Sequence, residues 1–119
     1  MQDLDKVFGR LRGIMEQYAG ELQVVTDAPG NYYLNTRKTD EKGKPVFFGM
    51  VKSSKNKVAY HLMPVYCHPE LLEGVSEALR GRMQGKSCFN FVSEDEAMLS
   101  ELSLLTERGI EAYREEGLL

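Results

Sequence analysis

Apolar residues recur every three or four positions at both ends of the chain, which is the pattern of a helix that buries one side. At the N-terminal end, the recurring residues are Leu4, Phe8, Leu11, Met15 and Tyr18. Asp3 is the expected N-cap of this first helix, and Gly20 is expected to end it. At the C-terminal end, the recurring residues are Leu99, Leu102, Leu105 or Thr106, Ile110 and Tyr113. The second helix is predicted to begin at a capping box formed by Ser93 and Glu96, and Gly109 is a point where it could divide.

Between these helices the pattern changes to short apolar or alternating segments separated by turn residues, as is typical of β-strands. The predicted strands cover residues 22–26, 32–37, 45–52, 57–63 and 86–92. The first four are joined by short turns, so an antiparallel meander is the simplest arrangement. The strand over 45–52 is almost continuously apolar, which predicts that both of its sides are covered. Pro64 is expected to end the fourth strand, and short helical segments are predicted at Pro69 and over 75–80.

Together these elements predict an α+β fold. An antiparallel sheet of about five strands, a meander plus one later strand, is flanked by N-terminal and C-terminal helices. The 119 residues are expected to form a single domain. No apolar stretch is long enough to cross a membrane and the N-terminus does not resemble a signal peptide, so we expect a cytoplasmic protein with no membrane partner. In that compartment the two cysteines are expected to be free thiols.

The formal net charge of -3 hides an uneven distribution of charge along the chain. From Glu94 onward there are 8 acidic and 2 basic residues, whereas Arg37 to Asn90 contains 10 basic and 5 acidic residues. The predicted strands also contain aromatic residues, and cations combined with aromatics are typical of sheets that bind single-stranded nucleic acid. The isoelectric point of about 5.4 argues against that partner, so no nucleic acid is expected.

The strand predicted over 86–92 alternates two kinds of side chain and therefore directs them to opposite faces of the sheet. One face receives Ser87 and the phenylalanines on either side of Asn90. The other face receives Lys86, Cys88 and Asn90. The first face is expected to belong to the core, and the second is the leading candidate for a binding surface.

A cation, a thiol and an amide on one face form a candidate site for an anionic or amide-bearing ligand. Arg82 in the preceding loop, His61 and Tyr66 are predicted to contribute to the same site. The alternative is that Cys88 only fills space beneath a helix and that Lys86 lies along the surface with its amine in water.

Two more specific kinds of site are not expected. Gly81 and Gly85 are one residue too close for a phosphate-binding loop, and the segment after them alternates like a strand rather than beginning a helix. The spacing of His61, Cys67 and His68 matches no zinc motif, so no transition-metal site is expected there.

The order of these elements, with the segments Tyr60–Tyr66 and Arg82–Phe91, resembles the YdhG-like family over nearly the whole chain. That family is catalogued as a domain of unknown function. The resemblance implies an α+β domain with an antiparallel sheet flanked by helices. It also implies a possible role as an intracellular iron chaperone, because some members have been proposed to resemble frataxin in using acidic surface residues. It implies no catalytic residues.

Three functional hypotheses follow. The leading one is a small cytosolic, non-enzymatic domain that binds a small molecule or a protein. The second is weak iron binding by Glu107, Glu111 and Glu115, which recur every four residues and would share one side of a helix, although such a row is more often only a solvated surface. The third is thiol-dependent catalysis by Cys88, for which the sequence offers no base known to be nearby. The ligand and the oligomeric state are left open.

Overall fold

The computed structural model of the protein describes residues 4–119, so the predicted N-cap Asp3 lies outside the described residues. The helices are α1 (Leu4–Glu16), α2 (Met63–Cys67), α3 (Glu77–Arg80) and α4 (Glu96–Glu115). Short 3₁₀ turns cover Ala19–Glu21 and Pro69–Leu72. The strands are β1 (Gln23–Ala28), β2 (Asn31–Thr39), β3 (Pro45–Ser53), β4 (Val58–Leu62) and β5 (Cys88–Phe91). The predicted α+β fold is confirmed.

The five strands form one open antiparallel sheet in the order β1-β2-β3-β4-β5. The predicted meander of four strands is therefore confirmed, and β5 adds to the far side of β4. Pro29 and Gly30 connect β1 to β2, and Gly30 has a φ of 76°, a conformation that glycine adopts without strain. The turn between β3 and β4 closes with a hydrogen bond from the Ser54 amide to the Lys57 carbonyl, 2.8 Å long.

Both long helices, α1 and α4, pack on the same face of the sheet, and the core lies between them and the strands. The largest fully buried side chains in this core are Tyr32, Tyr60, Tyr113, Phe48, Phe89 and Phe91. Aromatic side chains bury large apolar areas, so each of them contributes strongly to the hydrophobic stabilisation. None of the helices within residues 4–119 combines the length and the apolar character needed to span a membrane.

Two linked hydrogen bonds cross this core between β4 and α4. The hydroxyl of Thr106 donates to the Leu102 carbonyl at 2.8 Å, and the Tyr60 hydroxyl lies 2.6 Å from the same Thr106 oxygen. Because the single proton of Thr106 is already donated, Tyr60 must be the donor in the second bond. Both buried hydroxyl groups, those of Tyr60 and Thr106, thus have hydrogen-bond partners, as is usual for buried polar groups.

The prediction that β3 is covered on both sides is wrong. Phe48, Gly49 and Val51 are buried against the helices, but Val46, Phe47 and Met50 are only half-buried. The apolar run has another cause, since the register shifts between β2 and β3 at Phe47 and two successive residues then face the core. One side of β3 is therefore left without a covering layer.

Two expectations about α4 are also wrong. Asp95, rather than Ser93, caps the helix, because its carboxylate accepts the Met98 amide at 3.1 Å. The carboxylate of Glu96 is not part of a capping box and instead pairs with Arg10 of α1. The helix does not divide at Gly109, which lies within the continuous span of α4.

The ends of two other elements differ from the prediction. Helix α1 ends at Glu16, and Gly20 lies inside the 3₁₀ turn that follows, because the chain needs that turn to enter β1. Pro64 ends β4 as expected, but it also begins α2, which was not predicted. Proline fits the first turn of a helix because its missing N–H would have had no helical partner there.

Candidate functional site

The sheet has a second face, opposite α1 and α4, which we call the open face. Its residues follow from the strand register. On β2 to β5 they are Asn31, Tyr33, Asn35, Phe47, Met50, Lys52, Ala59, His61, Cys88 and Asn90. All are half-buried except Lys52, which is exposed, so no helix is packed over them. Within this set there is no carboxylate.

A row of three rings, which we call the aromatic row, crosses the open face from β2 to β4. The ring centroids of Tyr33 and Phe47 are 4.9 Å apart, and those of Phe47 and His61 are 5.4 Å apart with the planes at 60°. These spacings follow from the separation of neighbouring strands, which is about 4.8 Å. The register shift in β3 directs Phe47 to this face. The row therefore offers a continuous apolar strip with aromatic edges and faces.

His61 lies at the end of the aromatic row, where β4 meets β5. It is paired across the strands with Cys88, and its Nε2 is 2.8 Å from the hydroxyl of Ser87. Ser87 is buried, as predicted, but it lies just before β5 rather than within it. Its hydroxyl bonds to the His61 ring on the open face, so it does more than pack beside Phe89 and Phe91. Its carbonyl accepts the Leu62 amide, which holds it beside the end of β4. Burial lowers the pKa of His61, which keeps the ring neutral near pH 7.

Cys88 and Asn90 are held by a short polar network. The thiol of Cys88 lies 3.9 Å from the side-chain oxygen of Asn90. The side-chain NH₂ group of Asn90 donates a hydrogen bond to the side-chain oxygen of Gln84 at 2.8 Å. The ammonium of Lys57 donates to the same Gln84 oxygen at 3.1 Å. Burial raises the pKa of the Cys88 thiol, although the charge of Lys57 acts in the opposite direction. The protonated thiol is thus favoured, which is the reverse of what a cysteine nucleophile needs.

The remaining predicted site residues come from the elements around this network. The Lys86 ammonium lies 5.9 Å from the ring centroid of Tyr66, in the range of a cation–π contact. The backbone carbonyl of Arg82 accepts a hydrogen bond from the backbone N–H of Asn90. The backbone before β5 therefore covers the outer edge of that strand. The structure therefore brings together His61, Cys88 and Asn90 and pairs Lys86 with Tyr66. Arg82 joins them through its backbone.

Tyr33, Phe47 and Met50 are open-face residues that the sequence analysis did not assign to the site. The alternation of residues 32–37 was a usable signal for Tyr33, because it already separated a wetter side from an apolar one. No comparable signal existed for Phe47 and Met50, since the bulge that directs them outward is set by pairing with β2. Other aromatic strand residues, such as Tyr60, are buried in the core and cannot contact a ligand.

The predicted acidic row lies on the continuous helix α4, away from the open face. Glu107, Glu111 and Glu115 are all exposed. Glu111 forms an ion pair with Arg114, which also pairs with Glu21 at 2.8 Å. Within residues 4–119, no group of three or more His, Cys, Asp or Glu side chains is arranged to hold a metal ion. Iron binding by this row stays a prediction.

A separate cleft of about 610 Å³ lies between the β2–β3 turn and the end of α4. It is lined by Thr39, Asp40, Glu41, Lys42, Val46, Cys67, Tyr113, Glu116 and Leu118. None of the predicted site residues lines it. Its lining includes three acidic residues and one lysine, so the cleft is acidic overall and does not favour an anionic ligand.

Comparisons with known proteins give this chain no relative. No protein-family model, no curated protein and no solved structure matches it. The resemblance to the YdhG-like family therefore stays a prediction, and the function has to be argued from the site itself.

Proposed function

We propose that this protein is a non-enzymatic binding domain whose open face takes up a ligand or a partner molecule. The observation that supports this most strongly is the exposure of that face, where rings and amides are half-buried while the opposite face of β2 to β5 packs against the helices. Removing such a surface from water on binding is favourable by about 25 cal/mol for each Å² of apolar area. The centre of the proposed site is His61 with Cys88 and Asn90.

Catalysis by Cys88 is less well supported than binding. Its raised pKa disfavours the thiolate, and His61, the neighbouring ring, is hydrogen-bonded to Ser87. We expect Cys88→Ser to keep the fold and ligand binding nearly unchanged, because a hydroxyl of similar size would occupy the same place on the sheet. A complete loss of a measurable turnover in this variant, with binding intact, would support the enzyme hypothesis instead.

We also propose that the protein works in a reducing compartment such as the cytoplasm. Both cysteines, Cys67 and Cys88, are free, and Cys67 is exposed. Exposed free thiols are common where disulfides are kept reduced.

An NMR screen tests the binding proposal without knowledge of the natural ligand. Amide spectra of the full chain are recorded with a library of small fragments, and the shifted signals are mapped on the structure. We expect hits to cluster on the open face, because its half-buried rings give a fragment an aromatic surface on which to pack. His61→Gln should weaken these hits, whereas Glu115→Gln, a change on the exposed side of α4, should not. Hits that cluster in the cleft near Tyr113, with the open face silent, would contradict the proposal.

A further inference from the structure

The distribution of paired and unpaired charges differs between the two sides of the sheet. On the helix side, Arg10, Arg12 and Arg114 all form ion pairs with carboxylates. Asp27 of β1 is directed to that side and binds Arg12 at 2.9 Å. Among the open-face residues named above there is no carboxylate and Lys52 forms no ion pair, and within residues 4–119 Lys86, in the segment before β5, forms none either. The open face is thus locally positive although the chain as a whole is negative.

Lys86 is a free cation in the segment that leads into β5. It precedes Ser87, whose hydroxyl bonds to the His61 ring, so it lies at the end of the row where β4 and β5 meet α2. Its present neighbour is the ring of Tyr66, which is 54% exposed. A cation–π contact at an exposed site contributes only about 0.5–1 kcal/mol. A carboxylate would therefore be a better partner for this ammonium than the ring that it now faces.

We propose, on the basis of the binding function proposed above, that the open face binds a small planar aromatic carboxylate. The aromatic part packs on Phe47 and His61, and the carboxylate accepts hydrogen bonds from Lys86. One ammonium matches a single carboxylate, whereas phosphate groups are typically held by several arginines or by a helix N-terminus. The extended polyanion of a nucleic acid fits less well, because its binding relies on neutralising many phosphates and this site offers few cations.

Three probes of similar size test each part of this proposal by NMR titration of the full chain. 2-Naphthoate is planar and charged, 2-naphthamide is planar and neutral, and decahydronaphthalene-2-carboxylate is charged but neither planar nor aromatic. We expect 2-naphthoate to bind at the open face about tenfold more tightly than either control, since each control lacks one of the two interactions. Equal affinity for 2-naphthoate and 2-naphthamide would overturn the assigned role of the charge.

A pair of lysine variants tests the position of the carboxylate. Lys86→Gln should weaken 2-naphthoate about fivefold to tenfold and leave 2-naphthamide unchanged, because only the charge-assisted bond is lost. Lys55→Gln, an exposed lysine in the β3–β4 turn, is the matched control and should change neither. Both residues are exposed, so both variants are expected to fold as the parent does. An unchanged affinity in Lys86→Gln would overturn the proposal.

The remaining outcomes separate this inference from the function on which it rests. If fragments of another class shift the open face and 2-naphthoate does not, the aromatic carboxylate is wrong and the binding function stands. If no compound of any class shifts the open face, both are wrong. If a short oligothymidylate binds there more tightly than 2-naphthoate, the ligand class is single-stranded nucleic acid and the present proposal is overturned.

Discussion

Replacing Gly109 by alanine should destabilise the protein, although alanine is the better helix former. Gly109 is buried in the middle of α4, where that helix crosses the start of α2. An added Cβ would lie 3.0 Å from the Cβ and 3.2 Å from the Cγ of Pro64. Carbon atoms in good contact are about 3.5–4.0 Å apart, so the two helices would have to separate by roughly half an ångström.

The sign of the effect depends on two opposed terms. Glycine in a helix interior is less favourable than alanine by about 1 kcal/mol, which favours the substitution. Overpacking in a core costs about 1–3 kcal/mol, and Pro64 cannot relieve it by a rotamer change because its ring is rigid and its residue is buried. With a packing cost near the middle of that range, Gly109→Ala should lower the free energy of unfolding by about 1 kcal/mol.

Gly9→Ala in α1 is the matched control. Gly9 is exposed in the interior of that helix, and a Cβ there would meet nothing within 4 Å. Only the helix-propensity term remains, so this variant should be more stable by about 1 kcal/mol. For a domain of this size, 1 kcal/mol corresponds to a change in Tm of about 4 °C. The two variants should therefore move in opposite directions.

Urea denaturation followed by far-ultraviolet circular dichroism measures both changes, since the chain has no tryptophan to report by fluorescence. The m-values should equal that of the parent, which shows that the same surface is exposed on unfolding. The explanation fails if Gly109→Ala raises the denaturation midpoint as Gly9→Ala does. In that case the close approach of α2 and α4 would not be the reason for a glycine at this position.

Three further changes test other parts of the structure. In Gly49→Ala the new Cβ would lie 2.6 Å from a backbone oxygen of β4, so urea denaturation should show a loss of about 3 kcal/mol, and a loss no larger than that of an ordinary surface variant would be inconsistent with this packing. Tyr60→Phe and Thr106→Val should each lower stability by about 1–2 kcal/mol, and in a double-mutant cycle the two losses should not add, because they remove one hydrogen bond. Glu116 raises the pKa of His68, so the ion pair stabilises the fold below about pH 6.5 and is lost as the pH rises through the folded-state pKa. His68→Gln should therefore reduce the denaturation midpoint more at about pH 5.5 than at about pH 8.5, and equal reductions would refute the assignment.

Most of the fold could be predicted because the informative residues act locally. The alternation around Phe89 and the spacing of Leu99, Leu102 and Ile110 each record which side of one element is buried. The errors at β3 and at Gly109 occurred where a distant residue decided the outcome. Gly109 reads as a helix breaker from its own propensity, and only the position of Pro64 on α2 shows why a residue without a side chain is needed.

The candidate site could be predicted only in part, for the same reason. The alternation of β5 placed Cys88 and Asn90 on one face correctly, because that information lies within the strand. It could not show that Phe47 shares the face, since the bulge in β3 depends on pairing with β2. Nor could it show that the face is uncovered, because that follows from α1 and α4 packing on the same side of the sheet.

The position of the two long helices also determines which ligand the protein can attract. With α4 on the far side, its carboxylates lie away from the open face, and the total charge of -3 describes that far side better than it describes the site. Charges separated by more than about 8 Å are largely screened at physiological salt, so a small ligand on the open face is influenced mainly by the cations beside it. The proposed small anion can therefore bind next to Lys86 even though the protein as a whole is acidic. The proposed preference for a small anionic ligand thus rests on the same helix packing that leaves the face open.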